Sequence, residues 1–187
     1  MSKEYTSLGM MSGTSGDGVD ASIIRSNGIG KFEILKDKYY EYDDKLFYEF
    51  QNLKKKINSI SDLKKFSSSI NELENKITIF HATIYKDISE EIDIDLIGFH
   101  GQTLYHNPLE KISLQIGNGN LLHQLTKKKL VYNFRKKDIE NGGEGAPLTP
   151  IFHKYLLKSK EIELPACILN IGGISNIPLV PHLKDQE

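Results

Sequence analysis

The groups in this chain best suited to phosphate chemistry stand together near its start. Between Ser12 and Asp20 are Gly13, Gly16 and Gly18, the hydroxyls of Ser12, Thr14 and Ser15, and the carboxylates of Asp17 and Asp20, with Val19 the one apolar residue. A turn of this composition can lay backbone N–H groups and hydroxyls against phosphate oxygens. Glycine is required because only a residue without Cβ lets the backbone approach that closely or take positive φ. Two acids are too many for a plain anion site. They make sense if a divalent metal sits between carboxylate and phosphate, which makes Asp17 and Asp20 the candidate metal-facing residues. The same residue types also build ordinary hairpin turns, and composition alone favours that reading.

Two further clusters carry polar chemistry. His100-Gly101-Gln102-Thr103 follows directly on Asp95 to Phe99, which reads as a buried strand. Polar residues at the carboxyl end of such a strand are a usual place for ligand contact in open α/β sheets. The rival reading is a strand-end turn with a hydrogen-bonded histidine. Downstream, Asn133-Phe134-Arg135-Lys136-Lys137-Asp138 precedes the loop Gly142-Gly143-Glu144-Gly145-Ala146-Pro147-Leu148. Arg135 can clamp a carboxylate or phosphate through its fork of donors, or can form an ion pair with Asp138.

The elements that must position these residues are legible from periodicity. Strands are expected at Tyr5 to Met11, Val19 to Ser26 and Phe32 to Tyr42, the last two joined by Asn27-Gly28-Ile29-Gly30. Tyr39, Tyr40 and Tyr42 are expected to pack in the core. Leu46, Phe50, Leu53, Ile57 and Ile60 predict a helix, with Lys54, Lys55 and Lys56 on its solvated face. Ser61-Asp62 predicts a break and cap. A second helix follows through Leu63, Phe66, Ile70, Leu73, Ile77, Phe80, Ile84 and Ile88. Its near-heptad spacing suits a coiled coil or, given strand signals on both sides, a helix lying across a sheet. His81 is expected on its surface. Short strands are expected at Ile112 to Ile116 and Leu130 to Phe134, with a helix from Leu121 to Thr126. Pro147 suits the first turn of a helix carrying Ile151, Phe152, Tyr155 and Leu156. Lys158 to Glu163 reads as a polar linker. Ala166 to Ile171 reads as a last strand, with Ile177 to Val180 as its hairpin partner.

The 187 residues suffice for one domain or one and a half. A hydrophobic share of 39% and a charged share of 26% are ordinary for a soluble globular protein. Formal net charge of -1 provides no global field for nucleic acid or an acidic membrane. Cys167 is the sole cysteine, which excludes an internal disulfide; it is expected to be a buried small hydrophobe. Neither a signal peptide nor a membrane-spanning run is recognisable, so a cytoplasmic location is expected.

Ser12-Gly13-Thr14-Ser15-Gly16-Asp17-Gly18-Val19-Asp20-Ala21 resembles the phosphate-binding signature of anhydro-N-acetylmuramic acid kinases, members of the actin-like and sugar-kinase superfamily. Three more stretches match that family in order: His100 to Thr103 with His106, Asn133 to Arg135 through Pro147-Leu148, and Asn170-Ile171-Gly172-Gly173-Ile174-Ser175-Asn176. This chain departs at Gly16, where the family often has a bulky apolar residue and where a looser turn is expected. It departs also at Asn133 and Glu144, where aspartate and glutamine are common.

The resemblance implies an α/β ribonuclease-H-like domain with a mixed sheet over 1–160, and the first hairpin of a truncated second domain over 161–187. It implies ATP and Mg2+ as cofactors, with Ser12 to Asp20 on ATP. His100, Gly101, Gln102, Thr103, Arg135 and Asp138 would contact 1,6-anhydro-N-acetylmuramic acid, the muramyl carboxylate meeting Arg135. The implied reaction yields N-acetylmuramic acid 6-phosphate in peptidoglycan recycling. The family's basic aspartate stands in an Asp-x-Gly-Pro-Gly loop shortly after the Gly-Gly-Ile-x-Asn block. Asp185 is not followed by that pattern, so the basic aspartate is expected beyond Glu187, and none of the 187 residues is assigned its catalytic role. A truncated or split enzyme is therefore expected, completed by a second chain or a homodimer. The alternatives are a non-catalytic sugar- or nucleotide-binding remnant and a product without function.

Overall fold

The computed structural model describes residues 3–169, 177 and 179–180. Its main sheet has five strands: β1 (Tyr5–Met11), β2 (Gly18–Ser26), β3 (Phe32–Glu41), β4 (Leu96–Phe99) and β7 (Lys129–Tyr132), in the order β3-β2-β1-β4-β7. β1 to β3 form an antiparallel meander, whereas β4 lies parallel to β1 and β7 parallel to β4. The sheet is thus mixed, as expected. β1 is central because its alternate residues Leu8 and Met10 are buried while Gly9 leaves room at the seam.

The helices are α1 (Asp44–Lys54), α2 (Ile60–Lys65), α3 (Ser67–Ile88), α4 (Gly119–Thr126), α5 (Lys136–Glu140) and α6 (Pro150–Ser159). α3 buries Ile70, Leu73, Ile77, Ile84 and Ile88 on one stripe and packs against α1, α4, β2 and β3. It is therefore a helix laid across the sheet. A separate hairpin, β5 (Gln102–Asn107) with β6 (Ile112–Ile116), projects beyond β4. A further antiparallel pair, β8 (Ala166–Cys167) with β9 (Leu179–Val180), bears out the expected hairpin pairing over these residues. The block from Asn170 to Asn176 lies outside the described residues, and so does the segment from Pro181 to Glu187, on which the expectation about Asp185 and the basic aspartate rests.

Several expectations are corrected. Asp62 does not mark a helix break. Its carboxylate accepts from the Asn58 N–H at 3.1 Å and the Ser59 hydroxyl at 2.8 Å, capping α2 from inside its first turn. His81 is fully buried rather than on the surface, because it sits on the inner stripe of α3 against Phe99. Tyr39 is exposed, whereas Tyr42 enters the core and Tyr40 packs half-buried against it. Pro147 precedes α6 rather than opening it, a role taken by Pro150. α6 extends two residues into the expected linker, to Ser159, and residues 160–163 carry neither helix nor strand. Cys167 is exposed. Neither β5 nor α5 was expected, since the first begins at a polar strand end and the second is a five-residue turn of helix with little apolar periodicity.

Candidate functional site

The loop between β1 and β2 is held from behind by side chains distant in sequence. Gln102 donates from Nε2 to the Gly13 carbonyl at 2.8 Å. Lys54 donates from Nζ to the Thr14 carbonyl, and Gln51 from Nε2 to the Ser15 carbonyl. The Tyr42 N–H donates to the Asp17 carbonyl at 2.9 Å. Across a planar trans peptide, the C=O and the following N–H point in opposite directions. With the Gly13 and Thr14 carbonyls turned toward β5 and α1, the N–H groups of Thr14 and Ser15 are turned away from the body. Among the described residues neither N–H makes a hydrogen bond within the protein. The arrangement is a row of outward donors backed by anchored acceptors, the geometry of an anion nest.

A buried circuit fixes the loop's entry. The Tyr42 hydroxyl donates to Gln102 Oε1 at 3.3 Å and, having one proton, accepts from the Ser12 hydroxyl at 3.3 Å. Burial, opposed in part by the Ser12 hydrogen bond, raises the Tyr42 pKa to about 12, so the phenol stays protonated. Gly16 departs from expectation. Its φ of +68° and the Phe50 ring, 2.2 Å from where a Cβ would stand, leave no space to be loose. Phe50 fills that side of the loop.

The carboxylates flank the loop's exit. Asp17 accepts from the Ser15 hydroxyl at 2.7 Å, and its charge acts on the Tyr39 hydroxyl. Asp20 is exposed on β2, directly opposite Tyr39 on β3. Burial first, then the charges of Asp17, Glu41 and Asp20, raise the Tyr39 pKa. Among the described residues no cluster of three or more metal-ligating side chains occurs. That donor set still fits Mg2+, which commonly takes one or two carboxylates and completes its shell with phosphate oxygens and water.

His100 to Thr103 joins this loop to the second cluster. While Gln102 reaches the Gly13 carbonyl, His100 Nε2 accepts from Arg135 Nε at 3.1 Å and Nη2 at 2.9 Å. Arg135 Nη1 donates to the Gly145 carbonyl at 2.7 Å. The alternative reading of Arg135, an ion pair with Asp138, is absent among the described residues. Asp138 instead accepts from the Gly145 N–H at 2.7 Å. Burial, then the Arg135 charge, lowers the His100 pKa to about 4. Gly101, between the two connections, combines φ of +72° with a Cβ position 2.7 Å from the Ile116 carbonyl, so only glycine fits. Thr103 accepts from Gln115 at 3.3 Å and closes the segment onto β6. Asn133 stands at φ 58°, a left-handed conformation that asparagine and aspartate both tolerate, so this departure preserves the backbone. Glu144 is exposed in the glycine loop.

Sequence reasoning missed Gln51, Lys54 and Tyr42. Lys54 was concealed in a run of three lysines, of which only Lys55 and Lys56 are solvated. Its burial, which also lowers its pKa, was the missing signal.

Comparison with known proteins identifies the pattern. A family model described as anhydro-N-acetylmuramic acid kinase matches residues 5–186. A protein of that name from Pelagibacter ubique (strain HTCC1062) is 62% identical over 189 residues, covering 100% of this chain and 50% of its own length. One from Agrobacterium fabrum is 37% identical, covering 96% of this chain and 50% of its own length. One from Rhodopseudomonas palustris (strain BisB18) is 34% identical over 94% of this chain. The chain spans about half the length of the curated relatives it matches. The glycine loop, the His100 segment and the Arg135 loop all fall within the matched stretch, and on that match this protein belongs to the anhydro-N-acetylmuramic acid kinase family.

Proposed function

We propose that this chain binds Mg–ATP and 1,6-anhydro-N-acetylmuramic acid for transfer of the γ-phosphoryl group to the sugar O6, with water opening the anhydro bridge. The products are N-acetylmuramic acid 6-phosphate and ADP. The observation that carries the reading is the outward-facing N–H row at Thr14 and Ser15, joined through His100 to Thr103 to the guanidinium of Arg135. One face suits phosphate and the other a carboxylate, and a phosphorylated muramyl sugar must bring both together. Phosphoryl transfer depends mostly on position and electrostatics, so a preset cradle contributes directly.

In this reading Ser12 to Asp20 hold the nucleotide phosphates, and Asp17 and Asp20 hold Mg2+ directly or through water. Bound there, Mg2+ neutralises phosphate charge. The Thr14 and Ser15 N–H groups donate to phosphate oxygens without rearrangement, because the carbonyls of the same peptide units, Gly13 and Thr14, are already committed. Arg135 receives the muramyl carboxylate, with the rest of the His100 to Thr103 segment and Asp138 around it. The base that takes a proton from water is assigned to no residue up to Glu187; in this reading it comes from sequence beyond Glu187 or from a second chain. The mixed sheet with helices fits the first domain of the actin-like fold, and we assign 1–160 to it. β8 and β9 stand outside that sheet, which supports a second unit beginning near 161.

No helix among the described residues is long and apolar enough to cross a membrane. We assign the protein to the cytoplasm, where ATP is available. The test is calorimetric titration of the purified chain with Mg–ATP and separately with the anhydro sugar. Binding of both, with nucleotide binding lost on magnesium chelation, is expected. Failure to bind either would refute the proposal.

A further inference from the structure

We infer that His100 and Asp138 are positioning residues, which hold the guanidinium of Arg135 with its remaining N–H groups presented to a two-oxygen anion. The inference rests on the reading of Arg135 as the carboxylate clamp, and it changes how two of the proposed sugar-site residues act. His100 Nδ1 lies 2.7 Å from the Gly101 carbonyl, which can only accept, so the imidazole proton is on Nδ1. Nε2 therefore offers a lone pair, and both Nε and Nη2 of Arg135 donate to it. A second neutral acceptor, the Gly145 carbonyl, takes Nη1.

Asp138 sets that carbonyl's place. Its carboxylate accepts from the Gly145 N–H, and its own carbonyl accepts from the Gly143 N–H at 2.8 Å. Its carboxylate is thus directed at the Gly145 N–H and not at Arg135. A guanidinium has five N–H donors. Three of them are engaged here, which leaves one on each terminal nitrogen, the pair that meets a carboxylate side by side. Among the described residues no carboxylate forms an ion pair with Arg135, which leaves its half-buried charge open to an arriving anion. The charged and titratable groups facing this cluster are His81 of α3, near His100, and His106 of β5, which feels the Arg135 charge and also that of Glu144. A protonated His100 would turn Nε2 from acceptor to donor and expel the guanidinium. Burial and Arg135 hold it neutral.

The first test is nitrogen NMR of the imidazoles in the whole labelled chain. At pH 7, His100 is expected with its proton on Nδ1, and substitution Arg135→Leu is expected to raise its titration midpoint. A proton on Nε2, or a His100 signal indifferent to Arg135→Leu, would overturn the inference. The second test is a double-mutant cycle read by titration with anhydro-N-acetylmuramic acid. His100→Phe is expected to weaken binding about tenfold or more, as for the loss of a buried charged hydrogen bond. His100→Gln, which retains an acceptor, should recover part of the loss. In the Arg135→Leu background, His100→Phe should add nothing, because coupled residues are not additive. Asp138→Ala should behave likewise, with Asp138→Asn nearer the parent. Additive losses would mean direct contact with the sugar and would overturn the positioning role. A chain that binds Mg–ATP but not the sugar would remove the carboxylate reading, while the imidazole signals would still decide how Arg135 is held.

Discussion

The hydrogen bond from Gln102 to Gly13 spans 89 residues of sequence, and both side chains of the Tyr42–Gln102 pair are buried. The shape of the glycine loop therefore depends on a glutamine outside it. Replacing Gln102 by leucine removes one of the two hydrogen bonds at the Gly13 carbonyl, which keeps the Gly16 N–H at 3.2 Å, and one of the two at the Tyr42 hydroxyl, which keeps Ser12, at a cost of about 0.5–1.5 kcal/mol each. Chemical denaturation should show the loss, and Mg–ATP titration should weaken in parallel. Within the loop, Asp17→Ala removes metal-facing charge, and Gly13→Val places a branched side chain where phosphate must approach. Both are expected to reduce Mg–ATP affinity while the thermal midpoint changes little. If both variants bind nucleotide as the parent does, the loop is a turn and no more.

At the scale of elements, α3 carries a cost at its centre. His81 Nδ1 donates to the Ile77 carbonyl at 2.8 Å, and Nε2 is buried without a partner among the described residues. Burial lowers its pKa to about 4, as it does that of His100. The unfolded chain takes up these protons near the ordinary value of 6.5, while the folded chain refuses them until about pH 4. Stability is therefore full above pH 6.5 and is lost as pH falls toward 4, by up to about 3 kcal/mol per histidine. Urea midpoints measured from pH 7 down to 4.5 should fall accordingly. His81→Leu removes one titrating group and one unpaired polar atom. It should be neutral or stabilising at pH 7 and should flatten the acid limb. A parent profile that is flat over this range would contradict the burial of both rings.

At the scale of the whole molecule, cohesion is uneven. β4 is short but is paired on both sides, under α3, with Ile97 and Phe99 buried. β8 pairs only with β9, outside the main sheet, and Cys167 is exposed. An isolated two-stranded pair is marginal in water. Amide exchange at Ala166 and Cys167 should thus be faster than at Ile97 to Phe99, by orders of magnitude. Equal protection would show that another surface covers β8. Sedimentation of the same sample tests the proposed second copy or complementary chain as that cover.

The amino-acid sequence by itself determined the local features. Alternation placed β1 to β3, spacing placed the buried stripe of α3, and glycine content marked Ser12 to Asp20 as backbone that something approaches closely. Four stretches in order were enough to indicate the family, because residue types at fixed spacing survive as a linear pattern. What only the tertiary structure decided were the pairings between distant segments. Lys54 looked like one solvated lysine among three until α1 was laid against the loop. Arg135 and Asp138, neighbours in sequence, left an ion pair open as an alternative, yet α5 and the glycine loop turn their side chains to different partners. His81 has the polarity of a surface residue, but its stripe on α3 faces Phe99. Periodicity is local, whereas the partner of a buried polar group is set by how helices and strands pack, and that packing has no signature in any single stretch of the chain.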